Sequence, residues 1–264
     1  METLVITEGT SESAKAIGIR RAKGEVIGIL ASDNQLLYED FLTEVMDKFP
    51  VSDAVYPAYY AALKGDDILN RYFGLIGGND PLSYYMNKND RLSWIKTYIP
   101  EGPTIMGSIG DNGFFIKKEL IERTDLDNYY HIDNAHEAMN GRTLTILNDR
   151  QIWHKTGGNI FSFFAKRYRY GLQHAFNKNR RWHLVDFRHP IDIWRLLCFI
   201  LLTLTVIEPL RLSIRGYFKV RDVAWFLHPV VCLMTLFCYA LLVVNLGIGR
   251  LSQLLFAPMV AQKA

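Results

Sequence analysis

The sequence has little cysteine and no typical leader at its N-terminus. Its 264 residues contain three cysteines, Cys198, Cys232 and Cys238, all in the apolar C-terminal part. No two of them are spaced as zinc ligands, so the sequence predicts neither a disulfide framework nor a structural zinc site. The opening METLVITEG has no basic segment followed by an apolar one, which argues against a signal peptide. We therefore expect the N-terminal part to stay in the cytoplasm.

Net charge is small, at +3, but it is unevenly distributed along the chain. Residues 1–160 contain 16 Lys and Arg against 23 Asp and Glu, whereas residues 161–222 contain 12 against 4. Residues 223–264 contain two basic residues and no acidic one. This distribution predicts an acidic body over 1–160, a basic collar over 161–190, one or two membrane helices over 191–250 and a tail over 251–264.

The longest stretch without a charged residue covers 27 residues, from Val223 to Gly249. A spanning helix needs about 20 apolar residues, so this stretch is predicted to cross the membrane, with a buried core helix as the alternative. The apolar run 196–207 is shorter and is followed by Pro209, which would kink or end a helix. It is either a second span or a re-entrant or interfacial segment. Two spans would place the basic loop 211–222 outside, so the positive-inside rule favours one span.

The basic collar mixes aromatic and basic residues in the sequence FSFFAKRYRYGLQHAFNKNRRWHLVDFRHP. This mixture is typical of an amphipathic segment on an anionic leaflet, and also of a surface that binds single-stranded nucleic acid. Because the collar adjoins the predicted membrane segment, we expect membrane lipids and no nucleic acid as its partner. A solvated charged helix is the alternative.

The acidic body alternates short apolar runs with amphipathic stretches. Its pattern predicts strands at 4–6, 25–30, 54–57, 113–118 and 144–147, and helices at 11–24, 38–49 and 134–141. Strand–helix–strand order is typical of an α/β domain with a mainly parallel sheet, in which ligands bind beyond the carboxyl ends of the strands. Asp33 follows the second predicted strand, where it could bind a divalent cation that neutralises a diphosphate. The alternative is a turn residue that caps the next helix.

Three segments resemble glycosyltransferase family 2, whose GT-A fold has a Rossmann-like, mostly parallel sheet. AIGIRRAKGEVIGILASDNQLLYEDFL (16–42) is similar to the family segment that ends in a D-x-D motif. GDNGFFIKKELIERTDLD (110–127) resembles the strand on the acceptor side. HIDNAHEAMNGRTLTILNDRQIWH (131–154) resembles the helix and strand that lead to a histidine. Because order and spacing agree, the resemblance extends over roughly residues 4–245.

The resemblance implies a site for the donor. Asp33 matches the last Asp of the D-x-D motif and, with Asn34, would bind the diphosphate and a metal ion, either Mn²⁺ or Mg²⁺. Ala31 stands where the family has the first Asp. His154 matches a position that helps to hold the metal or the diphosphate, with a purely structural histidine as the alternative.

The resemblance also implies a site for the acceptor. Asp133 matches the general base that takes the proton of the acceptor hydroxyl, although Ile132 replaces the preceding Glu and a plain helix N-cap is the alternative. Asp111 and Asn112 fall on the acceptor-site loop. The remaining candidates carry weaker signals: Lys117 and Lys118 could meet phosphate or be a solvated strand end, and His131 and His136 are not expected to be ligands.

One part of the family pattern has no counterpart in this sequence. The opening strand and the acidic loop that hold the nucleoside are missing, and TEGTSES (7–13) does not replace them. The prediction is therefore an N-terminally truncated glycosyltransferase, bound to the membrane, that moves a sugar from a nucleotide diphospho-sugar to a lipid-linked or cell-surface glycan acceptor at the cytoplasmic face. The alternatives are a non-catalytic, membrane-anchored partner of a complete transferase and a small membrane protein whose function lies in the collar.

Overall fold

The structure is a computed structural model that describes residues 2–95, 107–156, 159–176 and 180–260, except for the side chains of 173–176 and 248–260. Within these residues the chain is an α/β protein with one mixed sheet of five strands. The strands are β1 (Val26–Ile29), β2 (Asn34–Leu36), β3 (Ala54–Tyr60), β4 (Phe114–Lys117) and β5 (Leu144–His154).

The strand order is β1-β4-β3-β5-β2, and only the β3–β5 pair is parallel. The described strands thus do not form the mainly parallel sheet that the sequence predicted. Apolar runs reveal where strands lie but not their direction. β4 begins at the end of the sheet where β3 finished and lies antiparallel between β1 and β3.

The strands differ from the predicted ones in several places. Residues 4–6 form no strand, and Leu4 and Val5 are exposed, so this apolar run has no sheet to cover it. β2 was not predicted, because its sequence NQL has no apolar alternation. β5 continues to His154 and is 11 residues long, well beyond the predicted 144–147.

Three of the six helices described in the body begin at a side-chain cap. They are α1 (Ser11–Arg21), α2 (Phe41–Lys48), α3 (Ile68–Ile76), α4 (Pro81–Met86), α5 (Lys118–Ile121) and α6 (His131–Ala138). Thr10 caps α1 in a box with Ser13. Asp67 caps α3, and Asp80 caps α4 immediately before Pro81. α6 begins three residues before the predicted helix, which places Asp133 inside its first turn.

The C-terminal helices are α7 (Ile160–Phe176), α8 (Pro190–Thr205), α9 (Ile207–Lys219) and α10 (His228–Val260), with a short 3-10 helix, Val223–Leu227, before α10. Val206 separates α8 from α9, and its φ of 62° is left-handed. The axis of α9 makes an angle of 85° with that of α8. The apolar run 196–207 is therefore not a straight span. Among the described residues, one stretch, Val223–Gly247, is long and apolar enough to cross a membrane.

The apolar residues of α7 belong to the protein core. Phe163 and Phe164 are 5% and 8% exposed, and the ring of Phe163 lies 4.4 Å from that of Phe73 on α3. Tertiary packing thus covers part of the apolar face of α7, and the contact of the collar with lipid stays a prediction. Phe161 and Tyr170 remain exposed.

Candidate functional site

An open cleft of about 2650 Å³ lies at the end of the sheet where β1, β3 and β5 finish and β4 begins. Polar side chains line it on this side, including Asp33, Asn112 and His154. Apolar side chains of α8 and α10 line its other side; we call this side the apolar arm, formed by Leu196, Phe199, Ile200, Leu236, Ala240 and Val243. A single cleft therefore joins a polar site to an apolar groove.

Four of the predicted site residues meet in one group, which we call the polar cluster: Asp33, Asn34, Asn112 and His154. Asn34 is the first residue of β2 and His154 the last of β5, and these two residues are cross-strand partners. Asn34 Nδ2 lies 2.9 Å from His154 Nδ1 and 3.0 Å from Asn112 Oδ1. The cluster forms because one edge strand and one central strand present these side chains at the same end of the sheet.

Asp33 is held beside His154 by its position just before β2. Its Oδ1 lies 3.3 Å from His154 Nδ1, and its carbonyl accepts from the Lys155 amide at 2.9 Å. The following element is a strand, so Asp33 caps no helix. Burial raises the pKa of the Asp33 carboxyl, but His154 and Lys166 more than offset this effect, and the net pKa lies below its ordinary value. Asp33 is therefore ionised near neutral pH.

The donor set limits what metal this site could hold. Among the described residues there is no group of three or more His, Cys, Asp and Glu side chains able to bind a metal ion. Asp33 Oδ1 is buried and accepts no aligned hydrogen bond, so it is available as a ligand. Both ring nitrogens of His154 already lie near amides, Nδ1 near Asn34 and Nε2 3.2 Å from Asn79 Nδ2. The residues fit a Mg²⁺ or Mn²⁺ ion that takes one ligand from Asp33 and others from a diphosphate.

A second carboxylate, Asp90, lines the cleft next to the polar cluster. It accepts a hydrogen bond of 2.5 Å from the Tyr60 hydroxyl, which in turn accepts from Asn112 Nδ2 at 2.7 Å. A Cβ atom at Gly110 would lie 2.7 Å from Asp90 Oδ2, so glycine leaves room for this carboxylate. Burial raises the pKa of Asp90 to about 6 despite the Tyr60 hydrogen bond.

Asp111 lies in the same cleft but is neutralised by a lysine. Its Oδ2 is 2.5 Å from Lys15 Nζ on α1, and Lys15 also pairs with Glu12 at 2.9 Å. Burial alone would raise the pKa of Asp111. Lys15 and the neighbouring His131 lower this pKa by a larger amount, so its net value is about 2. Asp111 thus ties α1 to the loop before β4.

Asp133 lies apart from this group. It is 6% exposed, and its two oxygens accept backbone hydrogen bonds from Arg181, at 3.0 Å, and Trp182, at 2.7 Å. It is not among the side chains that line the cleft, although Ile132 is. The carboxylate therefore anchors the segment after α7 to α6, and its predicted role as the base is not supported by a contact with the polar cluster.

The remaining candidates are engaged elsewhere. Lys117 pairs with Asp53 at 3.1 Å and Lys118 with Glu122 at 3.1 Å, which makes them structural rather than available for phosphate. His131 is buried, its Nδ1 lies 2.9 Å from the Tyr129 hydroxyl, and burial lowers its pKa to about 4.

Two consecutive residues that were not predicted connect the polar cluster to α10. Asn79 approaches His154, and Asp80 accepts a hydrogen bond from the Tyr239 hydroxyl on α10. Arg167 on α7 donates to the Asn79 carbonyl, and its Nε lies 3.9 Å from Asp80. The sequence Asn-Asp-Pro is itself a helix-start signal, so this position could have been found as a cap, though not as a part of the site.

Comparison with known protein families and with curated proteins found no relative of this chain. No model of a known protein family matches this chain, and no curated protein is similar enough to count as one.

Proposed function

We propose that this protein is a membrane-bound glycosyltransferase that moves a sugar from a nucleotide diphospho-sugar to a lipid-linked acceptor. The observation that carries the proposal is the cleft, which joins the polar cluster to the apolar arm between α8 and α10. A soluble donor would bind at the polar end, and the hydrocarbon chain of the acceptor would occupy the arm. In this proposal the mixed sheet belongs to a GT-A-like domain.

The donor end has the charges that a diphosphate requires. Asp33 would share a Mg²⁺ or Mn²⁺ ion with the diphosphate, and such an ion neutralises charge on the departing group. Lys166 also lines the cleft and interacts electrostatically with Asp33, so it supplies a second positive charge there. These residues bind and orient the donor; they do not bond to the sugar.

The acceptor hydroxyl needs a carboxylate that takes its proton. Asp133 was the predicted base, but both of its oxygens bind backbone amides. Asp90 lines the cleft, and its pKa of about 6 leaves it mostly ionised at neutral pH while making it a stronger base than an ordinary carboxylate. We therefore assign the proton-accepting role in this proposal to Asp90.

The test is to incubate the full chain, in lipid nanodiscs containing a bacterial lipid extract, with uridine, guanosine and thymidine diphospho-sugars and Mg²⁺ or Mn²⁺. We expect release of one nucleoside diphosphate together with a glycosylated lipid seen by mass spectrometry. Asp33→Asn should lower turnover about 100-fold, the scale of removing one electrostatic stabiliser. Asp149→Asn, an exposed carboxylate on β5, is the matched control and should retain full turnover.

Release of no nucleotide from any donor would contradict the proposal. Equal turnover of Asp33→Asn and Asp149→Asn would show that the donor does not bind at the polar cluster. Comparison of Asp90→Asn with Asp133→Asn assigns the base, because only loss of the base should abolish turnover while donor affinity is retained.

A second candidate function is a non-catalytic partner of a complete transferase, and the free edge of β1 favours it. Glu25 and Ile29 accept hydrogen bonds from residues beside β4, so the backbone groups of Val26 and Gly28 point away from it. No described strand pairs with that outer edge. If the chain binds no nucleotide but co-purifies with a transferase whose activity depends on it, the second candidate is correct.

A further inference from the structure

Helix α10 packs against the body on one side. Its buried positions repeat every three or four residues from His228 to Cys238 and include Val231 and Thr235. Contacts continue to Asn245, which donates to the Tyr168 hydroxyl on α7. At 1.5 Å per residue, the stretch from His228 to Asn245 is about 26 Å long. The body therefore lies beside α10 over nearly the thickness of a bilayer's hydrocarbon core, about 30 Å.

Many of the groups beside α10 are polar or charged. His228 Nδ1 lies 2.7 Å from the Tyr72 hydroxyl on α3, and Tyr239 donates to Asp80. α7, which packs on α10, carries the exposed cations Lys166 and Arg169. If α10 crossed the bilayer over this stretch, these groups would have to enter the hydrocarbon core with it. Charged side chains at that depth cost several kcal/mol each, so the packing disfavours a crossing.

The opposite side of α10 is apolar and exposed, and two neighbouring helices have similar stripes. α8, α9 and α10 contact one another. Each exposes large apolar side chains at intervals of three or four residues, which line one face of a helix. They are Trp194, Leu197, Leu201 and Leu204 on α8; Ile207, Leu210, Ile214 and Phe218 on α9; and Val230, Leu233, Phe237, Leu241 and Val244 on α10.

α9 has the three faces of a helix at a membrane surface. Leu212, Ser213 and Gly216 are buried, and Gly216 lies against the Trp225 ring. The exposed apolar stripe lies on the opposite side. At 100° per residue, Arg211, Arg215 and Lys219 fall between these two faces, and all three are exposed. Apolar side chains flanked by cations suit the boundary between acyl chains and anionic headgroups.

We propose that α8, α9 and α10 form a single membrane-binding face that enters one leaflet, so that α10 lies along the bilayer surface instead of crossing it. The partner is an anionic lipid leaflet, with Arg211, Arg215 and Lys219 at headgroup level. This inference concerns how the protein meets the membrane and does not depend on the transferase activity.

The first test is the sidedness of the two ends of the chain. The full chain is synthesised in the presence of sealed vesicles of phosphatidylglycerol and phosphatidylcholine, and vesicle-bound protein is isolated by flotation. Lys23→Cys and Ala264→Cys are labelled in separate variants with a membrane-impermeant maleimide, and the unsubstituted chain gives the background. We expect a labelling ratio near one without detergent. Labelling of Ala264→Cys that appears only after detergent would overturn the proposal.

The second test measures depth along α10 and does not rely on the ends of the chain. Val230→Trp, Phe237→Trp and Val244→Trp, all on the exposed face, are tested for quenching by lipids brominated at shallow or deep acyl positions. The quenching of the unsubstituted chain, whose five tryptophans include Trp194 on the same face, is subtracted as background. A helix lying in one leaflet should give the same quenching profile at all three positions. A crossing helix would give deep quenching at Phe237→Trp and shallow quenching at the other two. Deep quenching confined to the middle position, or none at any position, would overturn the proposal.

Discussion

The polar side of the cleft and its apolar arm are fixed in place by different kinds of contact. On the polar side, Asp33, Asn112 and His154 extend from strand ends of one sheet and lie within hydrogen-bond or ion-pair distance of other protein groups. In the apolar arm, Phe199 and Leu236 lie on helices whose outer faces are exposed. The geometry of the polar side is thus set by the fold, whereas the helices of the arm require a covering that the described chain does not supply.

The two sides of the cleft also belong to different cores. The polar cluster lies at one end of the sheet, which has its own core around Tyr56 and Phe114. The helices of the arm share a core with α4, in which Leu196, Phe199 and Leu236 pack against Leu82 and Met86. Asn79 and Asp80 are the direct connection between the two sides. Variants in either core or in that connection should therefore have distinguishable effects.

The largest effect is expected at the contact between α9 and the 3-10 helix. A Cβ atom at Gly216 would lie 2.3 Å from the Trp225 ring, and Trp225 is fully buried. Gly216→Val should lower the free energy of unfolding by about 3 kcal/mol, because neither the helix nor the ring can move freely. Urea unfolding in detergent measures this change.

The control for that variant is Gly247→Ala on α10, where a Cβ atom has nothing within 4 Å. This change should leave stability equal or raise it by up to about 1 kcal/mol, since alanine favours helix. Equal destabilisation by the two variants would show that α9 does not pack on Trp225.

The next effect should come from breaking the connection between the two sides. Asp80 is 5% exposed, caps α4 and accepts from Tyr239. Asp80→Ala leaves these donors unpaired and should cost about 2–3 kcal/mol. Tyr239→Phe removes one hydrogen bond and should cost about 1 kcal/mol, measured in the same urea series. A larger loss for Tyr239→Phe than for Asp80→Ala would contradict this assignment.

The sequence predicted the polar side better than the arm. Asp33 was predicted because it follows a short apolar run, whereas Asn34, Asn112 and His154 were predicted from the resemblance to glycosyltransferase family 2. The direction of β4 and the contributions of Tyr60, Asn79 and Asp90 were not predicted. Hydrophobic periodicity does not reveal how the chain runs from β3 to β4. The position of a loop side chain is set only by tertiary packing.

Two further predictions show what sequence patterns leave out. Apolar length predicted a span at Val223–Gly249, and the described stretch Val223–Gly247 is long and apolar enough to cross a membrane. Asp133 was placed in the site because of its position in a motif. Length does not reveal that the body covers one side of α10, and a motif does not reveal that the oxygens of Asp133 bind the amides of Arg181 and Trp182.

A smaller effect is expected from the buried carboxylate of Asp90. Its pKa in the folded state, about 6, lies above the ordinary value of 3.8, so the folded protein favours the protonated form. Asp90 therefore destabilises the fold increasingly as pH rises from about 4 to 6, and the penalty is complete above that range. Asp90→Asn should stabilise the protein by about 2 kcal/mol at pH 8 and have no effect below pH 4, by urea unfolding at both pH values. A gain that is the same at both pH values would contradict the role of ionisation.

The smallest effect concerns the membrane side of the comparison and distinguishes α9 from the collar. A basic residue near an anionic leaflet contributes about 1 kcal/mol to binding, so Arg215→Gln should lower partitioning onto phosphatidylglycerol vesicles about fivefold and leave binding to neutral vesicles unchanged. Arg123→Gln, an exposed arginine that follows α5, makes the same charge change away from the proposed face and should have no effect.

Arg169→Gln on α7 tests the collar. Because α7 packs Phe163 and Phe164 in the core, less apolar surface is left beside its cations for insertion, and we expect a smaller loss than for Arg215→Gln. A larger loss for Arg169→Gln would return the lipid contact to the collar and separate it from the exposed stripes of α8, α9 and α10.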